Sequence, residues 1–261
     1  MSGPQPYWSD GRVSLYLGDC REILPALGVT ADCIVTDQPF AETSLDWDRW
    51  PDGWLDVAAA VARSMWCFGS LRMFGERWAE YTGAGWKLSH DAECEWVDHA
   101  VWEKHNGSGF AADRFRRVHE IAAHWYQGKW GAVYHEVPRI TAEFDPKGRT
   151  ASLSGARVPH TGEIGPHAYA DDGTRLARSV FRFPQVRRGI SRTQKPGELL
   201  SPLIEYACPP GGLVVDPFAG SGSTLRTARA SGRRAIGIEL REAQARQAAR
   251  WLSQTVPEVT P

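Results

Sequence analysis

The segment VVDPFAGSGSTL at 214–225 constrains the fold of this chain more than any other. An apolar run ends on Asp216, glycines follow at 220 and 222, and an amphipathic stretch begins near Ser223. That order reads as a strand, then a turn tight enough for the backbone to approach a ligand, then a helix whose N-terminus faces the turn. A second apolar run, AIGIE, ends on Glu239, 23 residues after Asp216. An acid about 20 residues beyond such a turn accepts hydrogen bonds from the vicinal hydroxyls of a ribose. The pattern predicts a site for a nucleoside-containing cofactor. A plainer reading, a Gly-rich turn needed only for tight strand–helix packing, is disfavoured because strand, turn, helix and acid come in the right order.

The rest of the chain repeats the alternation. Residues 13–17 (VSLYL) read as a strand closed by Gly18-Asp19, 20–27 as a helix, and 31–37 (ADCIVTD) as a strand apolar enough to be covered on both faces. Helices are expected at 54–64, 71–82, 196–208, 223–231 and 241–253, and strands at 65–68, 94–102, 117–126, 213–216 and 235–239. The fold class this implies is α/β: a single doubly wound, mostly parallel sheet with right-handed crossovers. Residues 138–175 carry many Pro, Gly, Thr, His and Asp with little periodicity and read as a functional loop region. The tail 256–261 is expected to fray.

The formal net charge of −1 neither announces a nucleic-acid binder nor excludes one, since a local basic patch is enough. Five cysteines show no C-x-x-C pair, and no His-rich cluster has metal spacing, so no metal and a reduced, cytoplasmic setting are expected. No apolar run approaches the ~20 residues of a membrane span, and no apolar signal segment opens the sequence.

Two motifs now point to a family. D-P-F-x-G-x-G-[ST] at 216–223, with Thr193-Gln194-Lys195-Pro196 ahead of a helix, resembles the S-adenosylmethionine-binding elements of DNA amino-methyltransferases. The family usually has His-Pro before the second element, where this chain has Ser191-Arg192. The resemblance implies that Asp216, Phe218, Ala219, Gly220 and Gly222 line the cofactor cleft. It places Thr193, Gln194 and Lys195, with Ser223 or Thr224, near the cofactor's carboxylate, Glu239 on the ribose, and Asp19 near the adenine ring. Asp37-Gln38-Pro39-Phe40 resembles the family's D-P-P-Y motif, and its position ahead of the cofactor motif resembles the beta class. WEKHNGSGFAADRFRRVHE at 102–120 is similar to the W-x-K-x-N … R-F … H-E stretch of beta-class adenine enzymes, through Trp102, Lys104, Asn106, Arg114, Phe115, His119 and Glu120. The resemblance implies a Rossmann-like fold with residues 1–137 as the catalytic half, 138–190 as an inserted target-recognition region and 191–261 as the cofactor-binding half. The implied activity is methyl transfer from S-adenosylmethionine to N6 of adenine in DNA. Cytosine-N4 transfer is the alternative, although members of that type more often carry Ser in place of Asp37. A cofactor- and DNA-binding homologue impaired by Gln38 is another. By analogy with the beta class, a homodimer is expected.

The residue types suit that chemistry. An exocyclic base amine is a poor nucleophile because its lone pair is delocalised into the ring. Two acceptors, the Asp37 carboxylate and the main-chain carbonyl of residue 38, can take its two N–H groups and return the lone pair to nitrogen. Phe40 offers a stacking face for a base turned out of the duplex. Gln38, where the family has Pro, loses a fixed φ and is expected to add an N–H and a mobile side chain beside the amine, giving a slower enzyme. The bland reading of Asp37 is a strand-end acid that caps the next turn. His119-Glu120 reads equally well as a buried pair at a sheet edge or as a base contact. Lys104, Arg114, Arg116 and Arg117 form one basic group. Arg175, Arg178, Arg182, Arg187, Arg188 and Arg192, interleaved with Phe181 and Phe183, form another. From these, Lys104, Asn106, Arg114, Arg187 and Arg188 are expected on DNA. Among Trp8, Trp47, Trp50 and Trp54, one or two in the 41–54 loop are expected to pack over the cofactor or a flipped base.

Overall fold

Residues 33–36 and 213–216 are buried along their whole length, and each forms a strand that helices cover on both faces. The computed structural model describes residues 3–88, 99–108, 112–113, 115–141, 174–186, 189–190 and 194–254. Its elements, in chain order, begin with β1 (Trp8–Ser9), β2 (Val13–Leu17), α1 (Cys20–Leu27), β3 (Cys33–Thr36), α2 (Trp54–Val61), β4 (Ser64–Gly69) and α3 (Leu71–Gly83). Then come β5 (Lys87–Leu88), β6 (His99–Ser108), β7 (Arg117–Tyr126), β8 (Arg139–Thr141), β9 (Thr174–Leu176) and β10 (Val180–Arg182). The last are α4 (Gly197–Ala207), β11 (Leu213–Asp216), α5 (Ser223–Ala230), β12 (Arg234–Glu239) and α6 (Glu242–Leu252).

The main sheet runs β1-β2-β12-β11-β3-β4-β7-β6-β10, with β5 also paired to β7. The five strands β2, β12, β11, β3 and β4 are mutually parallel, and β7 and β6 extend the sheet antiparallel. Strand alternation splits the core in two. Val13, Leu15, Cys33, Val35, Trp66, Phe68 and Val214 face α4, α5 and α6. Tyr16, Ile34, Met65, Cys67, Leu213 and Val215 face α1, α2 and α3. The doubly wound, mostly parallel α/β class is therefore what the chain adopts.

The order in which strands are added reverses between β3 and β11, which run parallel. From β3 the chain crosses outward to β4, and from β11 it crosses the opposite way to β12. The carboxyl ends of strands at such a switch point leave a crevice, because the connecting helices diverge.

Residues 137–177 form a compact unit of their own, separate from the unit made of 1–136 and 178–261. In the smaller unit β8 pairs antiparallel with β9, Arg139 opposite Leu176. Ala177 N–H donates to the Pro138 carbonyl at 2.8 Å and closes its base. Residues 178–190 were expected inside the insertion, but β10 pairs with β6 in the main sheet. The reason is apolar: Phe181 and Phe183 pack on the main core, and Trp102 Nε1 donates to the Phe183 carbonyl at 2.8 Å. The strand expected at 94–102 begins at His99 and runs to Ser108 among the described residues.

Candidate active site

Four strand ends converge. Asp37 follows β3, Asp216 ends β11, Glu239 ends β12, and Gly18-Asp19 follow β2, and all of them line one cavity of about 870 Å³. Thr36 Oγ1 donates to Asp216 Oδ1 at 2.8 Å and ties the two central strand ends together. Burial pushes the Asp216 carboxyl up to about 6, despite hydrogen bonds from Thr36, Thr224 and the Phe218 amide.

The cofactor half fits a nucleoside. Gly220 and Gly222 adopt φ of 52° and 81°, a left-handed turn that side chains resist. The turn delivers the chain into the N-terminus of α5, where orphan amides favour an anion. Glu239 is buried, with Oε2 accepting from Gly220 N–H at 3.0 Å and Oε1 from Arg241 N–H at 2.9 Å and Arg241 Nε at 3.2 Å. A carboxylate has about four acceptor positions, so Oε2 keeps capacity for a hydroxyl. Phe218 lines the cavity and is held edge-on by Trp54, ring centroids 5.3 Å apart. Asp19 caps α1, and hydrogen bonds from Arg21 hold its carboxyl below the usual range.

The catalytic half is an alternating chain of charges. Lys195 Nζ bonds Asp37 Oδ2 at 2.5 Å and lies 3.2 Å from Glu120 Oε2, while Lys104 Nζ bonds Glu120 Oε1. Two carboxylates and two ammonium groups neutralise one another, as buried charges must. Burial pushes Asp37 above the ordinary carboxylate value, and Lys195 opposes it. Burial also disfavours charge on Glu120, but Lys195 and Lys104 outweigh it and hold the carboxyl at about 2. Asp37 Oδ1 is buried and has no hydrogen-bond partner among the described residues.

The loop after the motif is wound around a single carboxylate. Asp48 Oδ1 accepts from the N–H groups of Phe40 and Ala41, both at 2.8 Å, and Oδ2 from those of Glu42 at 3.1 Å and Thr43 at 2.7 Å. Ala41, at φ 57°, takes a conformation few side chains tolerate, and these four bonds hold it there. Burial opposes ionisation of Asp48, but these bonds win and keep its carboxyl below the usual range. Trp47 is exposed in the cavity wall with the Arg241 guanidinium 5.2 Å from its ring, Trp50 is buried but borders the same cavity, and Trp54 is core.

The structure brings most of the expected residues to one place. Asp37, Gln38, Pro39, Phe40, Asp19, Gln194, Lys195, Asp216, Phe218, Ala219, Gly220, Ser223, Thr224 and Glu239 all line the cavity. Gly222 caps α5 beneath it. Thr193, Arg114, Arg187 and Arg188 lie outside the described residues, and Asn106 falls within β6. Two expectations need correction. The Gln38 side chain is not free beside the target amine: the residue borders the cavity, but its amide is buried, with Nε2 donating to the Phe68 carbonyl at 3.0 Å. Lys104 is turned inward to Glu120 rather than outward to a phosphate, because Glu120 would otherwise be a buried charge with one partner fewer. Lys195, expected near the cofactor carboxylate, lines the cavity and is paired with Asp37 and Glu120. Arg182 is exposed but paired with Glu103 at 2.8 Å. Sequence reasoning left Glu120 undecided and did not place Trp102 or Arg117 in the site, though all three line the cavity. The H-E pair and the leading Trp of 102–120 carried that signal.

A family model for N6/N4 enzymes, described as DNA methylase, matches residues 31–250. The Type II methyltransferase M.ScaI of Streptomyces caespitosus is 26% identical over 267 residues, covering 91% of this chain and 80% of that protein. The DNA adenine methyltransferase YhdJ of Escherichia coli (strain K12) is 46% identical over 67 residues, 24% of this chain and 23% of its own length. Among solved structures, PvuII DNA methyltransferase (cytosine-N4-specific) has a TM-score of 0.63 at 15% identity, covering 98% of this chain and 92% of that one. The M1.HpyAVI–SAM complex has a TM-score of 0.59 at 21% identity, covering 92% and 99%. At these identities the two structures speak to the fold.

Proposed function

We propose a reaction for this chain from one premise: it belongs to the N6/N4 DNA methylase family. It transfers a methyl group from S-adenosylmethionine to the N6 amine of an adenine turned out of DNA. The observation that carries the reading is the buried Asp37 Oδ1, an acceptor without a partner among the described residues at the end of β3. Leaving such an atom unpaired costs about 1–3 kcal/mol, a cost that a donor arriving with the substrate removes.

S-adenosylmethionine, when bound, supplies an electrophilic methyl group on a sulfonium. Glu239 and the turn at Gly220 and Gly222 suit its ribose, Phe218 its adenine ring, and the N-terminus of α5 with Ser223 its carboxylate. On the catalytic side, Asp37 Oδ1 accepts one N–H of the target amine and the carbonyl of residue 38 accepts the other. Lys195 fixes the Asp37 carboxylate through Oδ2. So held, the amine nitrogen regains its lone pair and would take the methyl group that the bound cofactor would release by loss of its carbon–sulfur bond, leaving a neutral thioether. One N–H proton then leaves through the acceptor that held it. Phe40 stacks on the base, and the loop tied to Asp48 covers the site against water.

Adenine is favoured over cytosine because the motif opens on Asp37 and because the W-x-K-x-N and H-E residues Trp102, Lys104 and Glu120 line the same cavity. The matched segment of the E. coli adenine methyltransferase supports the same choice. The test is direct. The protein is incubated with DNA and methyl-labelled cofactor, and the DNA is digested to nucleosides. Label in N6-methyldeoxyadenosine is expected. Label in N4-methyldeoxycytidine would reassign the base, and no label despite cofactor binding would refute the transfer.

A further inference from the structure

Gln38 stands where the family motif has proline, and the structure gives its side chain a position. Asp37 and Gln38 are consecutive residues just past the end of β3, and their side chains take different partners. Asp37 pairs with Lys195, and Gln38 is buried against β4 and α3. Gln38 Nε2 donates to the Phe68 carbonyl at 3.0 Å, and Gln38 Oε1 accepts from Cys67 Sγ at 2.9 Å. Tyr81 Oη lies 2.9 Å from the same sulfur, and Met73 Sδ 3.9 Å from Nε2. Phe68 is one residue beyond the last β3–β4 pair, Thr36 with Cys67. The amide of Gln38 thus extends the contact between those strands past the end of their ladder.

We propose that Gln38 is a positioning residue, a side-chain clamp that fixes the residue-38 carbonyl as a proline ring would. The inference rests on the methyl-transfer reading for its catalytic consequence, but not for the clamp itself. A proline holds its carbonyl by locking φ, which costs the unfolded chain freedom and needs no partner. Gln38 leaves φ free in principle and holds the same backbone through two buried hydrogen bonds. The following Pro39 already biases residue 38 toward an extended conformation. The clamp removes the remaining freedom from the anchored side. On the other side of the motif, Asp48 gathers the amides of residues 40–43. The motif is therefore held between two anchors, one on each side of Pro39. A misplacement of about 1 Å in a catalytic acceptor costs on the order of a hundredfold in rate, so the clamp acts on kcat rather than on cofactor binding.

The experiment compares the native protein with Gln38→Ala, Gln38→Met and Gln38→Pro. Met fills a similar volume without the hydrogen bonds, so it separates the clamp from simple cavity formation. Three quantities are read: methyl transfer to DNA, cofactor affinity by calorimetry, and hydrogen exchange of the 36–43 segment, which needs no turnover. Ala and Met should lower kcat by about ten- to a hundredfold, leave cofactor affinity within about twofold, and speed exchange in that segment. Pro should recover most of the kcat loss and slow the exchange again. The clamp is refuted if exchange of the segment is the same in the native, Ala and Met proteins. It is refuted equally if Ala retains kcat within about twofold, or if the loss falls on cofactor affinity. A native protein that methylates no base overturns the methyl-transfer reading instead, and the exchange data alone then decide whether Gln38 clamps the segment.

Discussion

Asp37 is a strong acceptor for a base N–H, and able to take up its proton, only as a carboxylate, so its protonation state sets the acid side of the activity profile. Burial holds its carboxyl above the ordinary value of 3.8, and Lys195 is the largest opposing influence. Activity should therefore fall as pH drops through a value above the ordinary carboxylate range. Lys195→Met removes the opposing charge, so the Asp37 carboxyl rises further and the acid limb of kcat moves to higher pH. Glu120 keeps Lys104 as its partner in that variant. The check is kcat across about pH 5–8, the range in which such a limb becomes visible. A limb that does not move in Lys195→Met would mean that Lys195 does not govern Asp37. The motif and the acid at its head were legible in the sequence. The pairing was not: Lys195 is 158 residues from Asp37, and nothing local in either segment names the other.

At the scale of elements, the loop 40–52 is a shell around one buried side chain. Four main-chain N–H groups end on Asp48, and no regular element supplies partners for them. Asp48→Ala should lower stability by about 2–3 kcal/mol, which for a chain of this size is a drop of about 5–10 °C in Tm. Asp48→Asn keeps one acceptor oxygen and should lose about half as much. Because the folded state holds the Asp48 carboxyl below its usual range, its contribution is complete above the ordinary carboxylate value. It is lost as pH falls through the depressed one, so the difference between native and Asp48→Ala should shrink in acid. Thermal melts near neutral pH and in acid check this, and an equal Tm for the native and Ala proteins near neutral pH would sink it. The sequence marked 41–54 as a polar, Trp-rich loop but not its organising carboxylate, because Asp48 shares its composition with Asp46 and Asp52. Only the folded loop distinguishes them. The same holds for the tryptophans: both Trp47 and Trp50 border the cavity, but Trp47 is exposed whereas Trp50 is buried and donates from Nε1 to Glu80 at 2.6 Å.

For the whole molecule, the separate unit 137–177 offers a clean division. Its two ends lie together, Pro138 and Ala177 being hydrogen-bonded, so a short Gly-Ser linker can join Glu136 to Arg178. The shortened protein should fold and bind cofactor within about threefold of the native affinity, since every described residue of the cavity lies in the other unit. Methylation at specific DNA sites should be lost. Retained site selectivity would show that recognition does not reside in 137–177. By itself the sequence determined the alternation of strands and helices, the glycine turn with its acid, and the motif at the end of β3. Each of these is a local pattern of apolar period, backbone freedom or residue type that short-range physics enforces. The tertiary structure alone decided which side chains share the cavity. It turned Gln38 into the core, drew Lys104 and Lys195 inward to alternate with Asp37 and Glu120, and joined β10 to the main sheet. The physical reason is that charge pairing and burial depend on distances between segments far apart in the chain. Those distances exist only once the sheet has brought β3, β6, β7 and the entry to α4 together.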